Sequence, residues 1–274
     1  MRRVPAVLVT LLIVAAVAAL LFRPVIDPRA YDRLPSQGNE PIDIAGRTDR
    51  GVLLLHGMTA TPWEIRTLAS SLQAHNYTIV APVIAGHGTS AAELEATTWR
   101  DWYASANDSL AVLKGRTDRV YIVGMSTGAS LAVLLAAENH VDGIVLIATP
   151  IKFRDWRAPF ARWYALALPY TDHKQYGSDV AHYYEVTPSR SVAELNDMIS
   201  EVENALPAVQ SYALILQSLH DQTVDPVSAT YVFDRLGSRD KEWKLYGNAS
   251  HVILQNLDAD TLVFPSIADF IERH

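Results

Sequence analysis

Three side chains able to perform acyl transfer stand in a definite order: a serine in Gly124-Met125-Ser126-Thr127-Gly128, an aspartate in Ser218-Leu219-His220-Asp221-Gln222, and a histidine after Gly247-Asn248-Ala249-Ser250. A serine hydroxyl is a poor nucleophile at neutral pH and needs a base within hydrogen-bond reach, itself held by an acid. Ser126 is the candidate nucleophile, His251 the base and Asp221 the acid. Asp225 competes for the acid's place, but it precedes Pro226 at the start of an expected helix, where an aspartate has an ordinary capping role. His220 lies beside the acid, His274 ends the chain, and His140, His173 and His182 fall outside the loops where a base is expected. The developing oxyanion needs donors: the backbone N–H of Thr127, and one from the loop after the strand 51–55, for which Met58 is the candidate. No histidine and carboxylate cluster has metal-ligand spacing, so neither a metal nor a cofactor is expected.

These residues must be placed by a fold. Residues 120–123 read as a buried strand running into the glycine-flanked turn and then an apolar helix, the setting in which a sharp bend lifts a serine clear of a sheet edge. Apolar strands are expected at 51–55, 77–83, 143–148, 213–217 and 243–246, and helices at about 62–75, 99–114, 226–236 and 261–273. Unbroken apolar strands alternating with helices imply an α/β fold with a mostly parallel sheet covered on both faces. Ser126, Asp221 and His251 then all fall on loops at the carboxyl ends of strands, where such sheets carry their sites. From 151 to about 205 the rhythm stops, and aromatics such as Phe153, Trp156, Trp163 and Tyr183 accumulate. An excursion of that length is read as a cap over the site.

The 274 residues suit one catalytic domain, 49% hydrophobic and 19% charged. A net charge of −7 argues against a nucleic-acid partner, and the absence of cysteine removes disulfides and thiolate catalysis. Residues 4–22 are uncharged and apolar behind Arg2 and Arg3, long enough to act as a transmembrane signal-anchor within residues 1–23. Cleavage after Ala16-Val17-Ala18 is the alternative, but it would leave Leu20, Leu21 and Phe22 exposed at the new terminus. Either way the catalytic domain is expected outside the cytoplasm. Residues 24–40, with Pro24, Pro28, Pro35 and Gly38, read as a linker to a domain at 41–274.

LLLHGMTATPWEIR, GHGTSAAELEATTWRDWYAS, GMSTGAS, YEVTPSRSVAEL, LHDQTVDP and ASHVILQNLD resemble the bacterial carboxylesterase and monoacylglycerol lipase branch of the α/β-hydrolase superfamily. The resemblance runs from Gly51 to the C-terminus with the motifs in order. It implies a serine hydrolase with a small cap after the strand 143–148, acting through an acyl-enzyme on medium-chain esters or monoacylglycerols. By position it assigns Ser126, Asp221 and His251 to the triad, and Met58 and Thr127 to the oxyanion hole. Met58 stands where an aromatic is common, and Ala60 where glycine is frequent. A serine peptidase or acyltransferase on the same fold is an alternative, because fold and triad do not fix the leaving group. A membrane-anchored protein that had lost its chemistry would be expected to show a broken triad. Dehalogenase or epoxide chemistry usually calls for an aspartate in place of Ser126.

Overall fold

The computed structural model describes residues 38–172, 182–256 and 258–274. The apolar run 4–22 and His173 lie outside them. No helix among the described residues is long and apolar enough to cross a membrane.

Seven strands form the main sheet: β1 (Ile42–Ile44), β2 (Arg50–Leu55), β3 (Thr78–Ala81), β4 (Arg119–Met125), β5 (Gly143–Ile147), β8 (Tyr212–Ser218) and β9 (Lys241–Tyr246), in the order β1-β3-β2-β4-β5-β8-β9. Every pairing is parallel except β1 with β3. The remaining strands, β6 (Tyr170–Asp172) and β7 (Val186–Pro188), make an antiparallel ribbon of their own.

The continuous apolar strands have a direct physical cause. Leu53, Leu55, Ile122, Ile144 and Leu146 pack into one core, while Val52, Leu54, Tyr121, Val123, Val145 and Ile147 pack into another on the opposite face. Successive side chains of a strand point to opposite faces, so a strand covered on both has no position for a polar residue. One face is covered by α1 (Arg66–Gln73) and the terminal helix Phe264–Arg273. The other carries α3 (Trp99–Lys114) and α4 (Thr127–Glu138). Residues 127–136 of α4 are buried throughout, which accounts for an apolar sequence with no polar face.

The expected elements are present with adjusted ends. The helix expected at 62–75 begins as a 3-10 turn, Pro62–Ile65, capped by Thr61, before α1 starts. The helix expected from 261 starts at Phe264, after a π turn, Ala259–Val263. Pro265 accounts for that boundary, since a residue without an N–H belongs in a first turn. The elements not anticipated are β1, α2 (Ala91–Ala96), the β6/β7 ribbon and the helices within 151–205.

Within residues 151–205 the chain forms a 3-10 turn (Ala158–Phe160), α5 (Ala161–Tyr164), β6, β7 and the long helix α6 (Ser189–Ala205). Leu195, Met198 and Val202 of α6 join the same core as α4, so the excursion is seated on the helix that follows the serine. The final crossover helix, α7 (Val227–Arg235), adds Ala229 and Val232 to that core.

The bend at Ser126 depends on two missing β-carbons. A Cβ on Gly124 would lie 2.2 Å from the Gly128 carbonyl oxygen, and one on Gly128 would lie 2.2 Å from the carbonyl oxygen of Leu55. Both obstacles are backbone, so α4 would have to move off the sheet. Gly128→Ala is therefore expected to cost about 3 kcal/mol or more in a urea titration. A loss below about 1 kcal/mol would contradict this packing.

Candidate active site

Ser126 sits at φ 52° and ψ −116°, a backbone region that a non-glycine residue occupies only at a cost. Its N–H donates to the Ile147 carbonyl at 2.8 Å, which pins the strained residue to β5. His251 Nε2 lies 3.2 Å from Ser126 Oγ, and its Nδ1 lies 2.8 Å from Asp221 Oδ2. Ser126, His251 and Asp221, separated by up to 125 residues, thus form one hydrogen-bonded chain. Asp225, the competing acid, accepts the N–H of Val227 at the start of α7, a capping contact. His220 Nδ1 contacts the Gly247 carbonyl oxygen.

Asp221 is only 1% exposed. Its Oδ1 accepts the N–H groups of Thr223 and Val224, both at 2.8 Å, and its Oδ2 accepts Gln217 Nε2 at 3.1 Å besides His251. Burial works to raise the carboxyl, but the bond and charge of His251 and the two backbone donors outweigh it and hold the group below its ordinary 3.8. An ionised Asp221 suits a partner that must stabilise an imidazolium. The start of the 151–205 excursion is laced to this acid loop. Arg154 N–H donates to Thr223 O at 2.9 Å, Asp225 N–H to Lys152 O at 2.8 Å, and Arg154 Nε to the backbone oxygen of Asp221 at 2.9 Å.

On the other side of the serine, β2 ends in His56-Gly57-Met58-Thr59. His56 is fully buried, with Ile84 N–H donating to its Nε2 at 3.2 Å and its Nδ1 2.9 Å from the Gly57 carbonyl. With Nε2 accepting, Nδ1 carries the proton. Met58 lines the same cavity as Ser126 and His251, and its N–H donates to no other described residue. Thr127 is the first residue of α4, and a first-turn N–H has no acceptor within its own helix. Both proposed oxyanion donors are therefore backbone groups beside the serine.

His56 and His87 are the most perturbed bases. Burial pushes His56 down to about 3 and His87 down to about 4, and the rings meet edge to face at 5.1 Å. A folded pKa below the ordinary 6.5 means that the unfolded chain binds more protons as the pH drops. This stability is therefore complete above pH 6.5 and is lost as the pH falls toward the folded values. Unfolding free energy is expected to fall on the order of 2 kcal/mol per histidine between neutral pH and about pH 5. Urea titrations at the two pH values check this, and a flat profile would contradict it.

The cavity has a volume of about 220 Å³ and is walled by Phe153, Tyr164, Val192, Leu195 and Val252, with Glu64 and Gln222 among its polar residues. Sequence reasoning did not single out His56, Glu64, Arg154, Tyr183 or Gln217. No local pattern separates His56 or Glu64 from an ordinary turn and helix start; only the fold brings Ile84 and Tyr183 to them. In the sequence Tyr183 is one of many aromatics between 151 and 205.

A mostly parallel sheet with helices on both faces and a serine at a strand-to-helix elbow defines an α/β-hydrolase. The chain belongs to the Hydrolase_4 family, described as serine aminopeptidase, S33, whose model matches residues 46–258. It is 32% identical to a thermostable monoacylglycerol lipase of Bacillus sp. (strain H-257), over 82% of this chain and 91% of the relative. It is 27% identical to a carboxylesterase of Bacillus subtilis (strain 168), over 82% of this chain and 93% of that one. Among solved structures, one reported under LipS and LipT, two metagenome-derived lipolytic enzymes, superposes with a TM-score of 0.82 at 29% identity, covering 87% of this chain and 99% of that chain.

Proposed function

We propose that the protein is a serine carboxylic ester hydrolase acting through an acyl-enzyme on medium-chain esters or monoacylglycerols. The observation that carries this reading is the unbroken Ser126–His251–Asp221 hydrogen-bond chain at the floor of a largely apolar cavity. Ser126 Oγ attacks the ester carbonyl carbon while its proton passes to His251 Nε2. Asp221 holds the imidazole by Nδ1 and stabilises its charged form. The tetrahedral oxyanion is met by the N–H groups of Met58 and Thr127, each worth about 3 kcal/mol on the scale of such donors. The carbon–oxygen bond to the alcohol then breaks, and the proton on Nε2 goes to the leaving oxygen. Water, deprotonated by the same nitrogen, attacks the acyl-serine, releasing the fatty acid and restoring the hydroxyl.

The apolar walls suit an acyl chain, each buried methylene being worth roughly 0.8 kcal/mol. A p-nitrophenyl ester series and monoacylglycerols test the reading: kcat/KM is expected to rise from two-carbon to medium acyl chains. No turnover of any ester would overturn it. The family's description favours one other reading, an aminopeptidase, with Asp172 at the cavity wall as the carboxylate that would meet an amino terminus. Asp155 is engaged by Arg157. Aminoacyl p-nitroanilides turned over faster than esters would establish that reading instead. On the sequence alone, residues 4–22 are proposed as an uncleaved anchor with the domain outside the cytoplasm. Carbonate-resistant membrane pelleting and protease accessibility in intact cells test both points.

A further inference from the structure

Glu64 is a carboxyl with no role in the mechanism above, yet it is 3% exposed and lines the cavity that holds Ser126 and His251. A buried carboxyl normally has a fixed partner. Here the partners are the N–H of Gly57, donating to Oε2 at 2.7 Å, and the hydroxyl of Tyr183, 3.2 Å from Oε1. Gly57 is joined to Met58 by the peptide whose N–H is the proposed oxyanion donor. The carbonyl of that same peptide accepts His56 Nδ1 at 2.9 Å and the N–H of Ala60 at 3.4 Å. The peptide is trans, so fixing its carbonyl on one side directs the Met58 N–H to the other. Gly57 is thus gripped on both sides, its N–H by Glu64 and its carbonyl by His56.

The loop needs such a grip. Thr59, two residues on, sits at φ 61°, a left-handed conformation unfavourable for a β-branched residue. It is also held from the excursion. His182, Tyr183 and Tyr184, where the described chain resumes, all land on the loops around the serine. His182 stacks on Trp63 with ring centroids 3.5 Å apart, Tyr183 reaches Glu64, and Tyr184 N–H donates to the Thr59 carbonyl at 3.3 Å. The Tyr184 hydroxyl accepts the N–H of Thr89 at 3.0 Å and donates to the Gly86 carbonyl at 3.1 Å.

We infer that Glu64 is a positioning residue for the oxyanion hole, fixing the Gly57–Met58 segment and coupling it through Tyr183 to the seating of the 182–184 segment. Burial raises the Glu64 carboxyl above its ordinary 4.5, opposed by the Gly57 N–H, the His251 charge and Tyr183. A carboxyl kept toward its neutral form places less negative charge beside a developing oxyanion. The inference rests on the ester-hydrolase reading and adds to it a residue outside the triad.

The test compares wild-type full-length chain with Glu64→Ala, Glu64→Gln and Tyr183→Phe, measuring kcat and KM on one p-nitrophenyl ester and the affinity of a trifluoromethyl ketone. Such a ketone forms a serine adduct bearing the oxyanion and reports the hole directly. Losing one oxyanion donor outright costs about 10² to 10³ in kcat, so loosening one is expected to cost about 10- to 100-fold in Glu64→Ala, with KM within about threefold. Glutamine offers an oxygen to Gly57 and an amide N–H to Tyr183, so Glu64→Gln is expected to stay within about threefold of wild type. Tyr183→Phe is expected to fall between the two, and ketone affinity should drop in step with kcat/KM.

Full kcat in a folded Glu64→Ala, a Gln variant as impaired as the Ala variant, or unchanged ketone affinity would each overturn the inference. If Glu64→Ala does not fold, Tyr183→Phe decides: kcat and ketone affinity falling together support the coupling, and both unchanged overturn it. A wild-type protein inert toward every ester, or turnover that survives Ser126→Ala, would instead remove the hydrolase reading and this inference with it.

Discussion

Ser126→Ala is expected to lower kcat on any turned-over ester by on the order of 10⁵- to 10⁶-fold while the thermal midpoint stays within about 2 °C. The split between activity and stability follows from the site. Among the described residues the hydroxyl has one hydrogen-bond partner, His251 Nε2 at 3.2 Å, so its removal leaves little unpaired. The strained backbone at φ 52° is held by the Ile147 carbonyl and by the close fit of Gly124 and Gly128, all of which alanine keeps. Residual turnover should reflect the backbone donors and substrate binding alone. A variant retaining more than about a hundredth of wild-type kcat would show that another group attacks the ester.

The second large effect is expected at Asp221, and its direction comes from the count of donors around the carboxylate. Thr223 N–H and Val224 N–H point at Oδ1, and Gln217 Nε2 and His251 Nδ1 at Oδ2. All four positions want an acceptor. In Asp221→Asn the amide oxygen can serve the two backbone donors only if its NH₂ faces Gln217 and His251. His251 would then have to present a bare Nδ1 and carry its proton on Nε2, the tautomer that cannot take a proton from Ser126. A loss of about 10⁴-fold in kcat is expected, with KM little changed. Kinetics on a folded variant check this, and a loss below about tenfold would contradict the orientation given to the ring.

The parts of this site legible in the sequence were those with few physical solutions. Apolar strands announce themselves because both of their faces are buried, and a serine between glycines at a strand-to-helix junction has little other reason to be there. Once β8 and β9 are placed, Asp221 and His251 fall at their ends by elimination, and Asp225 separates from Asp221 because it stands before the proline that opens a helix. Glu64 was not legible for the converse reason. An acid in the first turn of a helix ordinarily faces water and complements the helix dipole, and nothing local reveals that Tyr183, 119 residues away, closes over it. His56 likewise reads as part of a turn until Ile84 arrives from the neighbouring strand end to fix its tautomer. The β6/β7 ribbon was missed because three residues a side are too few for a period to show.

The most direct measurement is covalent labelling of the full-length chain with a fluorophosphonate, followed by peptide mapping, since the probe reads serine activation without requiring the natural ester. The expected result is one adduct, on the peptide containing Ser126, formed at a rate that collapses in His251→Ala. Labelling of a different serine, or labelling of Ser126 that proceeds equally fast without His251, would contradict a nucleophile activated by that histidine.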